Sequence, residues 1–207
     1  MDKTMELRAP GGAGPGLVAG FDDPVGDAQQ VFRAALDAMA HPGRVQAPAL
    51  ACGAPQGLGA AMAALLLTLA DGDTPVWLPA QVPAAARDFL RFHCGCPLVD
   101  TPAAAAFVAV PAGFDAPALS ACAQGDPAYP DRSATLLLEV ASLQQGEALS
   151  LSGPGIAQRQ ALQVEGLPPG LRAQWRANHA RFPLGVDLML TSGARFCALP
   201  RTTRMED

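Results

Sequence analysis

The sequence predicts an α/β fold, with one mixed sheet carrying helices on its faces in a three-layer sandwich. Three observations predict it. Amphipathic helical patterns alternate with short apolar strand runs in the first half of the chain, apolar runs of strand length cluster in the second half, and residues 186–199 close on an alternating hairpin pattern. At 207 residues the chain fits one domain. We read residues 1–20, crowded with Gly, Pro and Ala from position 8, as a flexible tail and residues 21–207 as a single α/β domain.

The first helix is expected from Asp27, with Gln30 as capping-box partner. Ala28, Val31, Phe32, Ala35, Leu36 and Met39 recur at helical spacing as its inward face, and Pro42-Gly43 ends it. A second helix spans Leu58 to Ala70. Asp71-Gly72-Asp73 turns the chain into a buried strand, Thr74 to Leu78. Pro83 suits a first helical position for a third helix through Phe92, broken by Gly95 and Pro97. Phe107 to Val110 reads as a strand, Pro117 to Ala123 as a short helix, and Ala134 to Val140 as a buried strand. Leu149 and Leu151 mark a half-buried strand. A last helix, Gly170 to Ala180, turns Leu171 and Trp175 inward and Arg172 and Arg176, with Arg181 just beyond, outward. Val186, Leu188 and Leu190 alternate with Asp187, Met189 and Thr191, Ser192-Gly193-Ala194 reverses the chain, and Arg195 to Leu199 pairs back.

Net charge −5 leaves no basic footprint for nucleic acid. The longest apolar run, Ala60 to Ala70, falls short of the roughly 20 residues a membrane span needs. No secretory h-region precedes it, so a soluble, cytoplasmic protein is expected. The five scattered cysteines are expected to stay reduced. Hydrophobic residues make up 50% against 16% charged, which leaves room for a surface that binds a partner.

The groups that could carry chemistry each have a plainer reading. Ser152-Gly153-Pro154-Gly155 could present backbone N–H groups to phosphate, but Pro154 removes a donor and a plain turn suits it better. His93-Cys94-Gly95-Cys96 holds metal-ligand types, yet the remaining His and Cys residues show no paired spacing, so no metal is expected. Asp71 and Asp73 suit a turn better than a divalent ion. There is no P-loop and no nucleophile elbow, so no catalytic residue and no cofactor site is assigned. Pro200-Arg201-Thr202-Thr203 is the best anion-binding candidate, because a guanidinium and hydroxyls chelate phosphate oxygens. Arg91 and His93 could add charge to it. The alternative for Arg201 is a pair with Asp187, or contact with a partner subunit.

Five passages together carry a family resemblance: residues 23–43 with Ala38-Met39-Ala40-His41-Pro42-Gly43; residues 65–78; Arg91-Phe92-His93 with Cys96-Pro97-Leu98; residues 149–156; and FPLGVDLMLTSGARFCALPRTT, residues 182–203. In this wording and order the chain resembles the PhnH family, a component of the bacterial carbon-phosphorus lyase core complex. The resemblance implies an α/β sandwich related to the large domain of pyridoxal-phosphate-dependent transferases. The only lysine is Lys3, in the expected tail, so no pocket lysine for that cofactor is available. The resemblance further implies phosphonate catabolism, in a complex with subunits G, I and J and the ATP-binding-cassette protein L. That complex forms α-D-ribose 1-alkylphosphonate 5-triphosphate from ATP and an alkylphosphonate. On this reading the chain is a non-catalytic component, homodimeric when isolated, with a phosphonate or nucleotide as its candidate ligand. The alternative is an independent small enzyme or phosphate-binding protein with an Arg-lined anion pocket.

Overall fold

The computed structural model describes residues 17–49 and 52–206. Of the expected tail, residues 1–16, with Lys3, lie outside the described residues. Val18 packs against the core, and its carbonyl lies 3.0 Å from His93 Nε2.

Six strands form the main sheet in the order β2 (Leu98–Val99), β1 (Val76–Trp77), β3 (Phe107–Val110), β4 (Thr135–Glu139), β7 (Asp187–Ser192) and β8 (Arg195–Leu199). The first five run parallel and β8 returns antiparallel, so the sheet is mixed, as expected. Alternate side chains of the parallel strands feed two apolar cores. Ala109, Leu137, Met189 and Ala198 face α1 (Pro24–Ala40), α2 (Ala60–Leu69) and α3 (Ala84–His93). Val108, Leu136, Leu138, Leu188, Leu190 and Leu199 face the opposite way. That second face is covered by α4 (Leu171–His179) together with a separate antiparallel sheet, β6 (Gln160–Glu165), β5 (Ser142–Ser152) and β9 (Arg204–Glu206). The third layer is therefore part sheet, where helices alone were expected.

Several local expectations are corrected. Asp23, not Asp27, caps α1: its side chain accepts from the Val25 and Gly26 amides, while the Asp27 carboxylate reaches back to the Asp23 N–H. Pro24 occupies the first turn, where its missing donor costs nothing. The inward face of α1 is Val31, Ala35 and Ala38, whereas Phe32 and Leu36 are 47% and 55% exposed. Small side chains let α1 lie close to α2, and the bulkier positions rotate outward. Residues 117–123 hold only a 3-10 turn, Leu119–Ala121. β5 extends far beyond Leu149 and Leu151 through exposed Gln144, Gln145 and Glu147, which give no apolar signal. β6 did have one, since buried Leu162 and Val164 alternate with exposed Gln163 and Glu165. No helix among the described residues is long and apolar enough to cross a membrane.

Candidate functional site

The Pro200 to Thr203 segment is tied down by the strands and helix around it. Asp187 opens β7, and its carboxylate accepts from the Arg201 amide at 2.7 Å, from Nε at 3.1 Å and from the guanidinium terminus at 2.5 Å. The remaining guanidinium N–H groups donate to the Pro130 and Pro183 carbonyls and to Ser133 Oγ. The Arg201 and Asp187 side chains are only 13% and 15% exposed. Arg201 thus takes the pairing with Asp187. From α4, Trp175 Nε1 donates to the Thr203 carbonyl at 2.8 Å, and His179 Nδ1 lies 3.0 Å from the Arg201 carbonyl. Arg204 Nε can only donate, so His179 Nε2 accepts from it and the proton sits on Nδ1. Thr202 is half-buried, and Thr203 is fully buried with its hydroxyl unpartnered among the described residues.

Arg91 and His93 sit elsewhere. They belong to the last turn of α3, which packs on α2 and leads into β2, four strands from β7 in the sheet. At a strand spacing of about 4.8 Å that separation is roughly 19 Å. Arg91 pairs with exposed Asp88 at 3.7 Å. The four residues singled out from sequence therefore do not converge.

Cys96, Cys122 and Cys197 are buried among apolar side chains, and Cys52 and Cys94 are half-buried. Burial pushes Cys197 up to about 12, and Cys122 and Cys52 to about 11, the last helped by Asp27 and Asp22. The neighbouring Cys96 side chain, together with burial, raises Cys94, and the same contact lowers Cys96, while the Cys94 thiol donates to the Leu66 carbonyl at 3.6 Å. His93 meanwhile turns to Val18, and no three His, Cys, Asp or Glu side chains converge among the described residues. Asp71 closes the turn before β1, accepting from the Asp73 amide and the Thr74 hydroxyl. The hydroxyl of Thr74 and the Asp73 amide outweigh burial and lower its carboxyl.

What the fold does bring together is the His41-Pro42-Gly43 segment and the Ser152 to Ile156 turn. Gly155 has φ +82, and a Cβ there would lie 2.2 Å from the Ala40 carbonyl oxygen. Gly43 has φ +78, and a Cβ there would lie 2.5 Å from Leu151 Cδ1. At Gly155 only glycine permits the approach to the Ala40 backbone, whereas at Gly43 the positive φ is what favours glycine, because the end of the Leu151 side chain can move aside. The two segments form walls of a cleft of about 510 Å³ that also takes in Arg44 and Arg159. Asp37 receives hydrogen bonds from Arg44 and, at 2.5 Å, from Gln46, and it contacts His41 Nδ1 at 2.9 Å. Burial alone would raise Asp37, but Gln46, Arg44 and His41 together hold it below the ordinary carboxylate range. Arg159 pairs with Glu206 at 2.5 Å and reaches Ser150. Sequence reasoning missed Arg44 and Arg159. The glycines beside them were the available signal.

A family model, bacterial phosphonate metabolism protein (PhnH), matches residues 19–206. The chain is 42% identical over 187 residues to the "Alpha-D-ribose 1-methylphosphonate 5-triphosphate synthase subunit PhnH" of Rhizobium meliloti (strain 1021), covering 90% of this chain and 94% of that protein. It is 46% identical over 76 residues to the "Putative C-P lyase subunit protein HtxG" of Stutzerimonas stutzeri, covering 37% of this chain and 39% of that protein.

Proposed function

We propose that this chain, which belongs to the bacterial phosphonate metabolism protein (PhnH) family, works as a non-catalytic subunit of a carbon-phosphorus lyase core complex. In that role it supports the displacement of adenine from ATP by an alkylphosphonate, which yields α-D-ribose 1-alkylphosphonate 5-triphosphate. The observation that carries the reading is the match along nearly the whole of a relative named as a subunit of such a synthase.

The chemistry of the side chains supports a supporting role. Arg201 is committed to Asp187 and backbone carbonyls, and burial keeps Cys122 and Cys197 protonated. The exposed face of α1 supports burial against other chains, since Val25, Phe32 and Leu36 recur at i, i+7 and i+11 and so line one stripe. The partners in this reading are subunits G, I and J, with a homodimer when the chain is isolated, in the cytoplasm. The mixed parallel sheet is compatible with descent from the large domain of pyridoxal-phosphate-dependent transferases, with that chemistry lost.

Co-expression of the tagged chain with subunits G, I and J, followed by pull-down and sizing, tests the proposal. A stoichiometric assembly is expected. Elution of this chain alone while the others associate would overturn it.

A further inference from the structure

The geometry points to a binding site for a small monocarboxylic acid in the pocket between α4 and the 3-10 turn Leu119–Ala121. Gln174, Ala177, Asn178 and Arg181 recur at i, i+3, i+4 and i+7, so one face of α4, continued by the turn that follows it, fronts that segment. Leu119 and Ala177 belong to the apolar part of the wall, and none of the lining residues is a carboxylate. Most polar groups of the wall are spent on the fold. Asn178 exchanges hydrogen bonds with the Val186 backbone at 2.9 and 2.8 Å, and the Gln124 amide donates to the Leu119 and Cys122 carbonyls. Gln174 accepts from the Leu119 N–H through Oε1 at 2.9 Å, which leaves its amide nitrogen without a partner among the described residues. Arg181 is exposed, and its guanidinium meets no carboxylate among the described residues. The acidic groups of the adjoining segments are used elsewhere, since Asp126 accepts from the Ala128 and Tyr129 amides and Asp187 holds Arg201.

Charge, shape and size together select the ligand class. The groups left open at Gln174 and Arg181 are hydrogen-bond donors, and the Ser120 hydroxyl beside them can supply one more. One unpaired guanidinium matches a single negative charge, and its planar fork fits the two coplanar oxygens of a carboxylate. The apolar wall favours a ligand with an apolar body next to that charge, which a small inorganic anion lacks. The pocket volume is about 150 Å³, enough for one group of roughly benzene size. The hydrogen bonds from Gln174 and Gln124 fasten the 3-10 turn in place, so binding loses little free energy to ordering the site.

The inference stands on this geometry and does not need the subunit reading. Heteronuclear NMR of the isotope-labelled full-length chain, titrated with benzoate, benzamide and inorganic phosphate, tests it. Benzoate should bind saturably and shift the amides of residues 119–121 and 174–181. Benzamide has the same shape without the charge, and phosphate has charge without an apolar body, so each should bind roughly tenfold more weakly or worse. Arg181→Gln should weaken benzoate roughly tenfold, the loss of a charge-assisted hydrogen bond, and leave benzamide unchanged. Ala177→Leu fills the pocket from an exposed helical position, where leucine is well tolerated, and should weaken both. Arg91→Gln, on α3, should leave binding unchanged. The proposal is overturned if benzoate does not shift these amides, or if it binds the Arg181→Gln and Ala177→Leu proteins as tightly as the parent. Tighter binding of phosphate than of benzoate would overturn the carboxylate assignment. Pull-down with the other subunits reads the assembly role separately, so either idea can fail alone.

Discussion

Arg201 and Asp187 form a three-point contact, in which one carboxylate takes the arginine's amide, its Nε and its guanidinium terminus. The pair fixes the chain after β8 to the start of β7. Removing the carboxylate leaves a charge with little access to water. Asp187→Ala should cost roughly 3 kcal/mol, the low end for buried pairs because both side chains keep some exposure. Urea unfolding followed by circular dichroism measures it, and a cost near zero would mean the pair is dispensable.

Trp175 and Thr203 predict opposite signs within one contact. Trp175→Phe removes the donor to a buried carbonyl and should cost about 1–3 kcal/mol. Thr203→Val replaces a buried hydroxyl unpartnered among the described residues, and should leave stability unchanged or raise it. Thermal melts of the two variants distinguish these outcomes.

Gly155 and Gly113 separate backbone strain from close approach. Both have φ near +80, at +82 and +84, but nothing lies within 4 Å of a Cβ at Gly113. Gly113→Ala should cost about 1–2 kcal/mol from the left-handed conformation alone. Gly155→Ala adds the clash with the Ala40 carbonyl and should be clearly worse. Equal melting temperatures would contradict the packing of the two segments.

Glu139 ends β4 with its carboxylate accepting from the Gly59 amide at the start of α2. Burial raises its pKa against the opposing pull of the Ala112 and Gly59 amides. The folded state then binds more protons than the unfolded one just above the ordinary glutamate range, so stability falls as pH rises through that window. Glu139→Gln keeps an acceptor and should flatten this slope. Unfolding curves between about pH 4 and pH 7, from just below the reference value to well above it, would show it.

Cys197 and Cys122 should resist alkylation in the folded chain. Burial raises Cys197 to about 12 and Cys122 to about 11, so neither is a thiolate at neutral pH. Both should react with iodoacetamide only after unfolding in guanidinium. The same shifts make stability fall above the ordinary thiol value of 9.0, where the unfolded chain loses protons that the folded one retains. Mass spectrometry of native and unfolded samples checks the labelling.

The elements that sequence reading captured are those whose signal is local. β3, β4, β7 and β8 carry continuous or alternating apolar runs, and α2 and α3 end near their expected residues. Where a second rule competed, the reading slipped. In α1, Phe32 and Leu36 fit the apolar period, yet α2 packs against the small residues Ala35 and Ala38 and leaves the large ones outside. β5 begins in a polar, exposed ribbon that no hydrophobic period marks.

By itself the sequence determined the α/β class, the hairpin over residues 187–199, and the wording that places the chain in its family, because each depends on neighbours along the chain. Only the tertiary structure decided what the charged side chains do. Arg201 met Asp187 rather than Arg91 and His93 because α3 and β7 lie on different parts of one sheet. Arg44 and Arg159 came to share a cleft because two glycines let distant segments touch. Periodicity records which face of an element is buried, and it carries no information about which distant residues that burial brings together.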